Sequence, residues 1–262
     1  MRILLTLQHP PNQVLPINYP YLISSWIYRT LGNADKEFAQ QLHQYGYDFG
    51  GKKYKLFSFS TLRPKRYDID TRHATFTLVH SPTTMELSFF VDEAVQHFIM
   101  GLFKDQQFEL SSGRFRAIFT VSGIEMLTKP VFESSMRFRT QTPICLSQNI
   151  EGEPHAHYMS PEEEGYDEYL VRNLVRKQQA LLPQTVGTEA APLALDFPYG
   201  FRLLSKPKSK LLTIKGISVR GYLFDFELEV PVELMELGYF GGFGGKNSSG
   251  GMGMVKMLRN GK

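Results

Sequence analysis

Alternating and helical spacings of apolar residues divide the N-terminal half of the chain into strands and helices. Apolar and polar side chains alternate over residues 2–8, and a proline pair ends this predicted strand. Apolar residues then recur at helical spacing over residues 19–31. Asp35 is placed to cap a second, shorter helix that reaches His43. The chain therefore opens with a strand followed by two helices.

The later apolar runs of this half complete an ordered set of elements. Residues 56–62 predict a strand, and residues 74–79 and 87–91 predict a hairpin around Pro82. A helix predicted over residues 92–103 precedes further strand at residues 108–121. The resulting β-α-β-β-α-β order is typical of a ferredoxin-like domain, which RNA-recognition domains also use.

The same pattern starts again near Gly123. Period-two and helical spacings then predict, in order, a strand at residues 136–146, a helix at 162–182, strands at 201–207, 211–218 and 221–230, a short helix at 232–237 and a last strand at 252–258. The expected fold class is α+β, with tandem ferredoxin-like (RRM-like) domains and a C-terminal glycine-rich loop. We place these domains at residues 1–122 and 123–262.

Composition narrows the class of protein. The chain has 262 residues, 42% of them hydrophobic, which suits one large domain or two small ones. The formal net charge of +3 allows a nucleic-acid partner without requiring one. One cysteine, Cys145, excludes an internal disulfide framework and a cysteine-rich zinc site. With no signal peptide and no apolar run of membrane-spanning length, we expect a soluble cytoplasmic protein without a membrane partner.

Residues 238–255 form a run in which two glycine clusters flank Lys246, Asn247 and small hydroxyl residues. Exposed backbone N–H groups beside one lysine can bind phosphate oxygens. A P-loop is excluded, because Asn247 stands where that motif needs Ser or Thr. A glycine-rich hairpin without a ligand is the alternative interpretation.

The spacing of this run resembles the glycine-rich loop of the CRISPR-associated repeat-RNA endoribonucleases, the Cas-six family. Gly242-Phe243-Gly244 matches the first half of the family's pattern and Gly251-Met252-Gly253 the second. The spacer between them is one residue longer than usual, so Gly250 and Gly251 compete for one position. In the N-terminal half, four segments also follow the family's order, at residues 15–19, 26–28, 42–43 and 55–60.

The resemblance implies a metal-independent endoribonuclease that cuts CRISPR repeat RNA in pre-crRNA to give crRNA. In this family the ribose 2′-OH attacks the adjacent phosphate and leaves a 2′,3′-cyclic phosphate, without a cofactor. The resemblance points to His43 for proton transfer, to Tyr28 on the first helix, and to Lys55 for the phosphate charge. Lys52 and Lys53 stay open as alternatives to Lys55, because the loop before them is longer than in the family.

Two groups of residues are candidates for RNA binding. One group belongs to the glycine-rich run and comprises Gly242, Gly244, Lys246, Asn247, Ser248, Gly251 and Gly253. The other is Lys206, Lys208 and Lys210, which alternation places on one side of an extended segment. His155 and His157 beside Glu162 to Glu164 are more typical of a solvated surface than of a metal site.

Two other functions remain open at this point. The chain could hold repeat RNA without cutting it, or serve as a subunit of a CRISPR effector complex. The sequence does not distinguish a monomer from a homodimer, and it does not give the repeat sequence or the cleavage position. A histidine and a tyrosine at the matching positions favour the endoribonuclease.

Overall fold

A computed structural model describes residues 1–150, 152, 155–182, 195–214, 217–245 and 248–258, to which every structural statement below refers. The first half contains five strands and two helices before residue 60: β1 (Arg2–Gln8), β2 (Gln13–Pro16), α1 (Pro20–Ala34), α2 (Lys36–Gln44), β3 (Tyr47–Phe49), β4 (Lys52–Tyr54) and β5 (Phe57–Phe59). It continues through β6 (Arg63–Pro64), β7 (Tyr67–Asp70), β8 (Thr75–Leu78), β9 (Thr83–Phe89), α3 (Asp92–Lys104), β10 (Gln107–Ser112) and β11 (Phe115–Met126).

The second half repeats the mixture of strands and helices: β12 (Ser135–Thr140), β13 (Ser147–Gln148), β14 (His157–Tyr158), α4 (Tyr166–Gln179), β15 (Gly200–Leu203), β16 (Lys208–Ile214), β17 (Ile217–Leu223), β18 (Asp225–Glu229), α5 (Val232–Gly241), a 3₁₀ turn (Ser248–Gly250) and β19 (Val255–Met257). None of the described helices is long and apolar enough to span a membrane.

Each half contains one sheet with the ferredoxin-like strand order. In the first half β11, β1, β9 and β5 lie side by side, with β10 added beside β11. In the second half the order is β19, β12, β18 and β15. In both sheets the first strand of the βαββαβ unit lies between the last and the third. The predicted fold class, tandem ferredoxin-like domains with a glycine-rich loop, is confirmed.

Two hydrophobic cores correspond to the two halves. The first core lies between the large sheet and the helices α1 to α3, and Trp26 stacks there on Phe108 with ring centroids 3.9 Å apart. The second core packs α4 and α5 on the other sheet around Phe138, Phe226 and Phe243. Leu56, next to β5, contributes to this second core. Strand β11 runs through residues 122 and 123, and the division of the domains there stays a prediction.

One predicted pairing is wrong. Residues 74–79 and 87–91 do not form a hairpin with each other: β8 pairs with β2 and β7, whereas β9 pairs with β1, β5 and β6. Alternation identifies a strand and its buried face, but it does not identify which strand will be its neighbour. The helix predicted at residues 232–237 is also longer and ends at Gly241.

Candidate active site

Tyr28 and His43 lie against each other on consecutive helices. Asp35 ends α1 by donating its backbone N–H to the Leu31 carbonyl at 2.9 Å, and its side chain caps α2 by accepting from the Phe38 N–H at 2.9 Å. Because one residue serves both helix ends, α2 turns back along α1. The rings of Tyr28 and His43 meet edge to face, with centroids 4.7 Å apart and planes at 88°. His43, in the last turn of α2, is exposed to solvent.

The Tyr28 hydroxyl reaches the second half of the chain. Burial raises the pKa of Tyr28 to about 12, against a smaller opposite effect from its hydrogen bond with the Ser249 side chain. Ser249 belongs to the 3₁₀ turn that follows the glycine-rich residues. Tyr28 therefore stays protonated at neutral pH, so that it can act as a hydrogen-bond donor and not as a base.

Lys55 holds the end of the helix that carries His43. Its Nζ donates to the carbonyl oxygens of Leu42 at 2.6 Å and of His43 at 2.9 Å. A cation at this position also interacts favourably with the C-terminal end of the α2 dipole. Burial, followed by the nearby charge of Lys53, lowers the pKa of Lys55 to about 8. Its ammonium therefore begins to lose its proton just above neutral pH.

The neighbouring lysines lie further from the His43 backbone. Lys53 donates to the Gln44 carbonyl at 3.2 Å, and Lys52 pairs with Phe49 at the other end of the short β3–β4 hairpin. Gly46 allows Lys55 to approach, because a Cβ there would lie 2.9 Å from Lys55 Cδ and 2.4 Å from the Tyr54 carbonyl oxygen. The contacts favour Lys55 among the three, although its catalytic role stays a prediction.

The glycine-rich loop leaves α5 and closes on itself at Phe243 and Gly253. The Phe243 N–H donates to the Gly253 carbonyl at 2.8 Å, and the Gly253 N–H donates to the Pro143 carbonyl at 2.8 Å. Gly253 has φ +79°, and a Cβ there would lie 1.9 Å from the Phe243 carbonyl oxygen. Only glycine fits such a position. Gly242 and Gly244 also have positive φ, and Gly244 lies against the Cys145 backbone.

The far side of the loop rests on the first half. Gly250 lies in the 3₁₀ turn, whereas Gly251 takes the left-handed conformation with φ +81°. Which of the two glycines matches the second half of the pattern stays a prediction, and of the two only Gly251 has a positive φ. A Cβ there would lie 2.6 Å from the ring of Phe59 on β5. The structure therefore brings the loop together with Tyr28, and through Tyr28 with His43.

Three predicted loop residues are not fully described. Lys246 and Asn247 lie outside the described residues. Ser248 begins the 3₁₀ turn, but its side chain also lies outside the described part. Their role in RNA binding stays a prediction, and so does the role of the four described glycines.

The predicted lysine stretch lies at the base of a two-stranded ribbon formed by β16 and β17. Lys208 and Lys210 belong to β16, Lys206 precedes it, and all three are exposed. Lys210 lies opposite Gly221 in the ribbon, and a Cβ at Gly221 would lie 2.8 Å from the end of the Met252 side chain. The ribbon face that carries Lys208 and Lys210 is therefore the face that contacts the glycine-rich loop.

The two histidines of the polar segment lie elsewhere. His155 and His157 line an open groove of about 880 Å³ together with Arg220 and Tyr222, on the other face of the ribbon. His157 Nε2 lies 2.6 Å from Glu163 Oε2, in a hydrogen bond between two partly exposed side chains. Among the described residues, no group of three or more His, Cys, Asp or Glu could hold a metal ion.

Several residues of the site were not identified from the sequence. Ser249 and Phe59 contact the site from elements far apart in the chain, so no local pattern marks them. Lys177 did carry a signal, because it stands four turns into a predicted helix in line with Leu170 and Leu174, on the apolar face. A lysine at an apolar position of a helix predicts that its ammonium is buried in the core.

Two family profiles match the chain. Residues 14–122 match the family described as "CRISPR-associated protein Cas6, N-terminal", and residues 127–257 match "CRISPR associated protein Cas6, C-terminal". The "CRISPR-associated endoribonuclease Cas6 1" of Methanocaldococcus jannaschii is 28% identical over 258 residues, which cover 97% of this chain and 92% of that protein.

Solved structures agree with these matches. A structure described as "CRISPR associated protein Cas6" has a TM-score of 0.75 at 28% identity and covers 99% of each chain. A Cas6-related protein from Pyrococcus furiosus shares the fold, with a TM-score of 0.80 at 23% identity over 99% of this chain and 98% of that one.

Proposed function

The chain belongs to the Cas6 family, and on that premise we propose that it is an endoribonuclease that cuts CRISPR repeat RNA in pre-crRNA to give crRNA. The M. jannaschii relative, which aligns over nearly the whole chain, is named an endoribonuclease. The observation that carries the proposal is the exposed His43 in contact with Tyr28, which is itself hydrogen-bonded to the loop of the other half. This contact supports a site in which His43 transfers protons and the glycine-rich loop binds phosphate.

We propose the following reaction, which needs no metal ion. The ribose 2′-OH gives up its proton and attacks the adjacent phosphorus, so that the 2′-O–P bond forms and the P–O5′ bond breaks. The leaving 5′ oxygen takes a proton, and the products are a 2′,3′-cyclic phosphate and a 5′-OH. His43 carries the proton transfer, because histidine is the side chain most often used as a general acid or base and this one is exposed to solvent.

Tyr28 and Lys55 have supporting roles in this proposal. Tyr28, protonated at neutral pH, donates a hydrogen bond to a phosphate oxygen or orients His43. An ammonium has three donors, and two of those on Lys55 go to the end of α2. Its remaining donor and its charge stabilise the negative charge that develops on the phosphate.

The glycine-rich loop and the ribbon lysines hold the RNA backbone. Backbone N–H groups of the loop and the side chain of Lys246 contact phosphates near the scissile bond. Lys206, Lys208 and Lys210 extend the contact along the ribbon, whose lysine face adjoins the loop. The substrate partner is the repeat RNA, whether the protein acts alone, as a homodimer or within an effector complex.

The test is a cleavage assay with purified protein and end-labelled repeat RNA from the neighbouring CRISPR locus. We expect one cut within the repeat, a product that ends in a 2′,3′-cyclic phosphate, and an unchanged rate in excess EDTA. A 2′-deoxy substitution at the scissile nucleotide should abolish cutting and preserve binding. Binding without cutting would identify a non-cleaving repeat-RNA-binding protein instead, and no binding would refute the proposal.

A further inference from the structure

Lys177 is a lysine enclosed in the core of the second half. It lies on the face of α4 that also carries Leu170 and Leu174, and only 1% of it is exposed. Its Nζ donates to the backbone carbonyl of Gly242. Gly242 caps the C-terminus of α5 and is the first residue of the glycine-rich loop. A charged group thus lies directly beneath the point where the loop begins.

The position of this ammonium explains how it can be accommodated. Aligned peptide dipoles give the C-terminal end of α5 a partial negative charge, which favours a nearby cation. No described ionisable group on α5, the loop or the neighbouring sheet shifts the pKa of Lys177, and burial alone lowers it to about 7. The lysine is therefore held by a helix end and a carbonyl, and not by a carboxylate.

A second side chain of α4 reaches the same loop one turn earlier. The amide nitrogen of Asn173 lies 3.3 Å from where a Cβ of Gly245 would be. Asn173 is 5% exposed, and its Oδ1 has no hydrogen-bond partner among the described residues. A buried amide oxygen without a donor is costly. Asn173 and Lys177 therefore contact the first residues of the loop from the core side, Asn173 at Gly245 and Lys177 at Gly242.

We propose that Lys177 is a positioning residue for RNA binding: its buried ammonium fixes the start of the glycine-rich loop through Gly242 and adds positive charge beneath the phosphate-binding segment. The proposal rests on the proposed function, since it assumes that the loop binds repeat RNA. Lys177 does not touch the RNA, because it is enclosed by protein. It acts on the ligand through the loop above it.

The stability of the protein gives an independent reason. Burial of an ammonium costs free energy, because the charge loses its hydration and no carboxylate among the described residues replaces it here. Because the pKa of Lys177 falls from 10.5 to about 7 on folding, the unfolded chain binds more protons between these values. This lysine therefore costs most stability below pH 7, and the cost shrinks as the pH rises to 10.5. This cost favours a role of Lys177 in positioning the loop over a role in stabilising the fold.

The test compares Lys177→Met and Lys177→Gln with wild type. Met retains the length of the side chain without charge or donor, whereas Gln retains an N–H donor for the Gly242 carbonyl. We expect Lys177→Met to bind repeat RNA about tenfold more weakly. Lys177→Gln should fall between Met and wild type. The thermal midpoint of Lys177→Met, taken relative to that of wild type, should be higher at pH 6 than at pH 9, because the buried ammonium of wild type costs stability at the lower pH.

The dependence of RNA affinity on pH distinguishes an effect of the Lys177 charge from an effect of its side-chain packing. Wild-type affinity should fall from pH 6 to pH 8.5 by more than that of Lys177→Met, which has no ammonium to lose. Arg172→Met, which removes a positive charge from a partly exposed position of the same helix, should keep the wild-type profile. A Lys177→Met protein with wild-type affinity and pH profile would overturn the inference.

A loop variant distinguishes this failure from failure of the proposed function. Gly244→Val alters the loop directly, since a Cβ there would lie 2.7 Å from the Cys145 carbonyl oxygen. If wild type binds repeat RNA, Gly244→Val does not, and Lys177→Met binds normally, the inference about Lys177 alone is wrong. If wild type fails to bind, or Gly244→Val binds like wild type, the role of the loop in RNA binding is wrong.

Discussion

The rings of Tyr28 and His43 are in contact but lie in different environments, the tyrosine half-buried and the histidine exposed. The half-buried tyrosine has a raised pKa and is fixed by Phe57 on one side, with ring centroids 5.5 Å apart. His43 remains exposed, with its backbone carbonyl bound by Lys55. The tyrosine is therefore suited to orient a partner, and the histidine is suited to exchange protons with a ligand.

We predict that His43→Ala slows single-turnover cleavage of repeat RNA by about 10²–10⁴-fold, the usual contribution of a general acid or base. RNA affinity should change little, since the loop and the ribbon are untouched. His73→Ala is the matched control, because His73 is exposed in a turn and pairs with Asp70. Rapid cutting by His43→Ala would disprove the assignment. Loss of both cutting and binding would show a structural role.

The lowered pKa of Lys55 predicts how the cleavage rate depends on pH. Its ammonium loses its charge as the pH rises through about 8, so cleavage by wild type should decline there. Lys55→Arg should extend the rate to higher pH, because a guanidinium stays protonated. The decline cannot come from unfolding through this group. Its pKa is below the ordinary 10.5, so its contribution to the free energy of unfolding rises between pH 8 and 10.5.

The control for this experiment is Lys53→Arg. It preserves the charge that contributes to lowering the pKa of Lys55, so its rate profile should match that of wild type. The same decline near pH 8 in Lys55→Arg and in wild type would exclude Lys55 as the source. A decline that shifts in Lys53→Arg instead would point to Lys53, and Lys52 would be examined if neither variant shifts it.

At the scale of single residues, the sequence could indicate His43, Tyr28 and the lysines only through their order along the chain. Their contact depends on Asp35, whose capping function was predicted, and on the turn between α1 and α2. Ser249 could not be predicted, because its contact with Tyr28 joins the two ends of the chain. Only folding of both halves creates that proximity.

Among the elements, the glycine-rich loop carries the strictest backbone requirement. We predict that Gly253→Val weakens binding of repeat RNA by at least about tenfold, because its Cβ would collide with the Phe243 carbonyl and open the closure of the loop. Gly113→Val is the matched control: Gly113 also has positive φ, but a Cβ there meets open space. It should lose about 1–2 kcal/mol of stability and bind RNA normally. Binding would be measured at a temperature at which circular dichroism shows both variants folded.

Equal affinity of Gly253→Val and wild type would show that the loop is only a structural hairpin. A glycine-rich hairpin without a ligand is the alternative interpretation of this run. The backbone conformations show why the spacing of the run matters: Gly242, Gly244, Gly251 and Gly253 have positive φ, whereas Gly250 belongs to a 3₁₀ turn.

Helices and strands could be predicted where the pattern that specifies them lies within one short segment of the chain. The strand at residues 2–8 has the observed bounds, because its alternation directly reflects one buried face. The pairing of β8 and β9 was not predictable, since each finds its neighbours far along the chain. The extension of α5 to Gly241 was also missed, because the helix continues through glycines that local propensity disfavours. Gly238 is tolerated there because the Phe243 ring packs against it.

The two halves of the molecule are joined by a buried arginine. Arg2 on β1 donates to the carbonyl oxygens of Val255 and Tyr239, each at 2.6 Å, and its guanidinium lies 3.5 Å from the centroid of the Tyr239 ring. Ser88 on β9 adds a hydrogen bond of 2.8 Å to the Phe240 carbonyl. These bonds reach α5 and β19, the elements that flank the glycine-rich loop. Arg2 therefore fixes the loop relative to the helices of the first half.

We predict that Arg2→Met lowers the free energy of unfolding by at least about 3 kcal/mol, since two buried carbonyls lose a charged donor. Denaturant unfolding followed by circular dichroism measures this loss. Cleavage under conditions in which the variant is folded should also slow, because the loop is less firmly placed over Tyr28. Arg116→Met, at an exposed ion pair with Glu109, should cost less than about 0.5 kcal/mol. A similarly small loss for Arg2→Met would contradict the proposed linkage.

At the scale of the whole molecule, the repeated order of strands and helices was enough to predict two ferredoxin-like halves. It could not predict how they are placed relative to each other, because that depends on buried contacts such as those of Arg2 and Leu56 with the opposite half. The candidate site lies where the halves meet, so the glycine-rich loop could be identified from its local pattern, but its contacts with Tyr28 and Phe59 could not.

The loop begins and ends in the second half, yet its tip rests on Tyr28 and Phe59 of the first. A ribosome synthesises Tyr28 and His43 long before it reaches Ser249. The proposed site is therefore complete only after synthesis has passed the glycine-rich loop, and a chain that stops before the loop lacks the part of the site that contacts Tyr28 and Phe59.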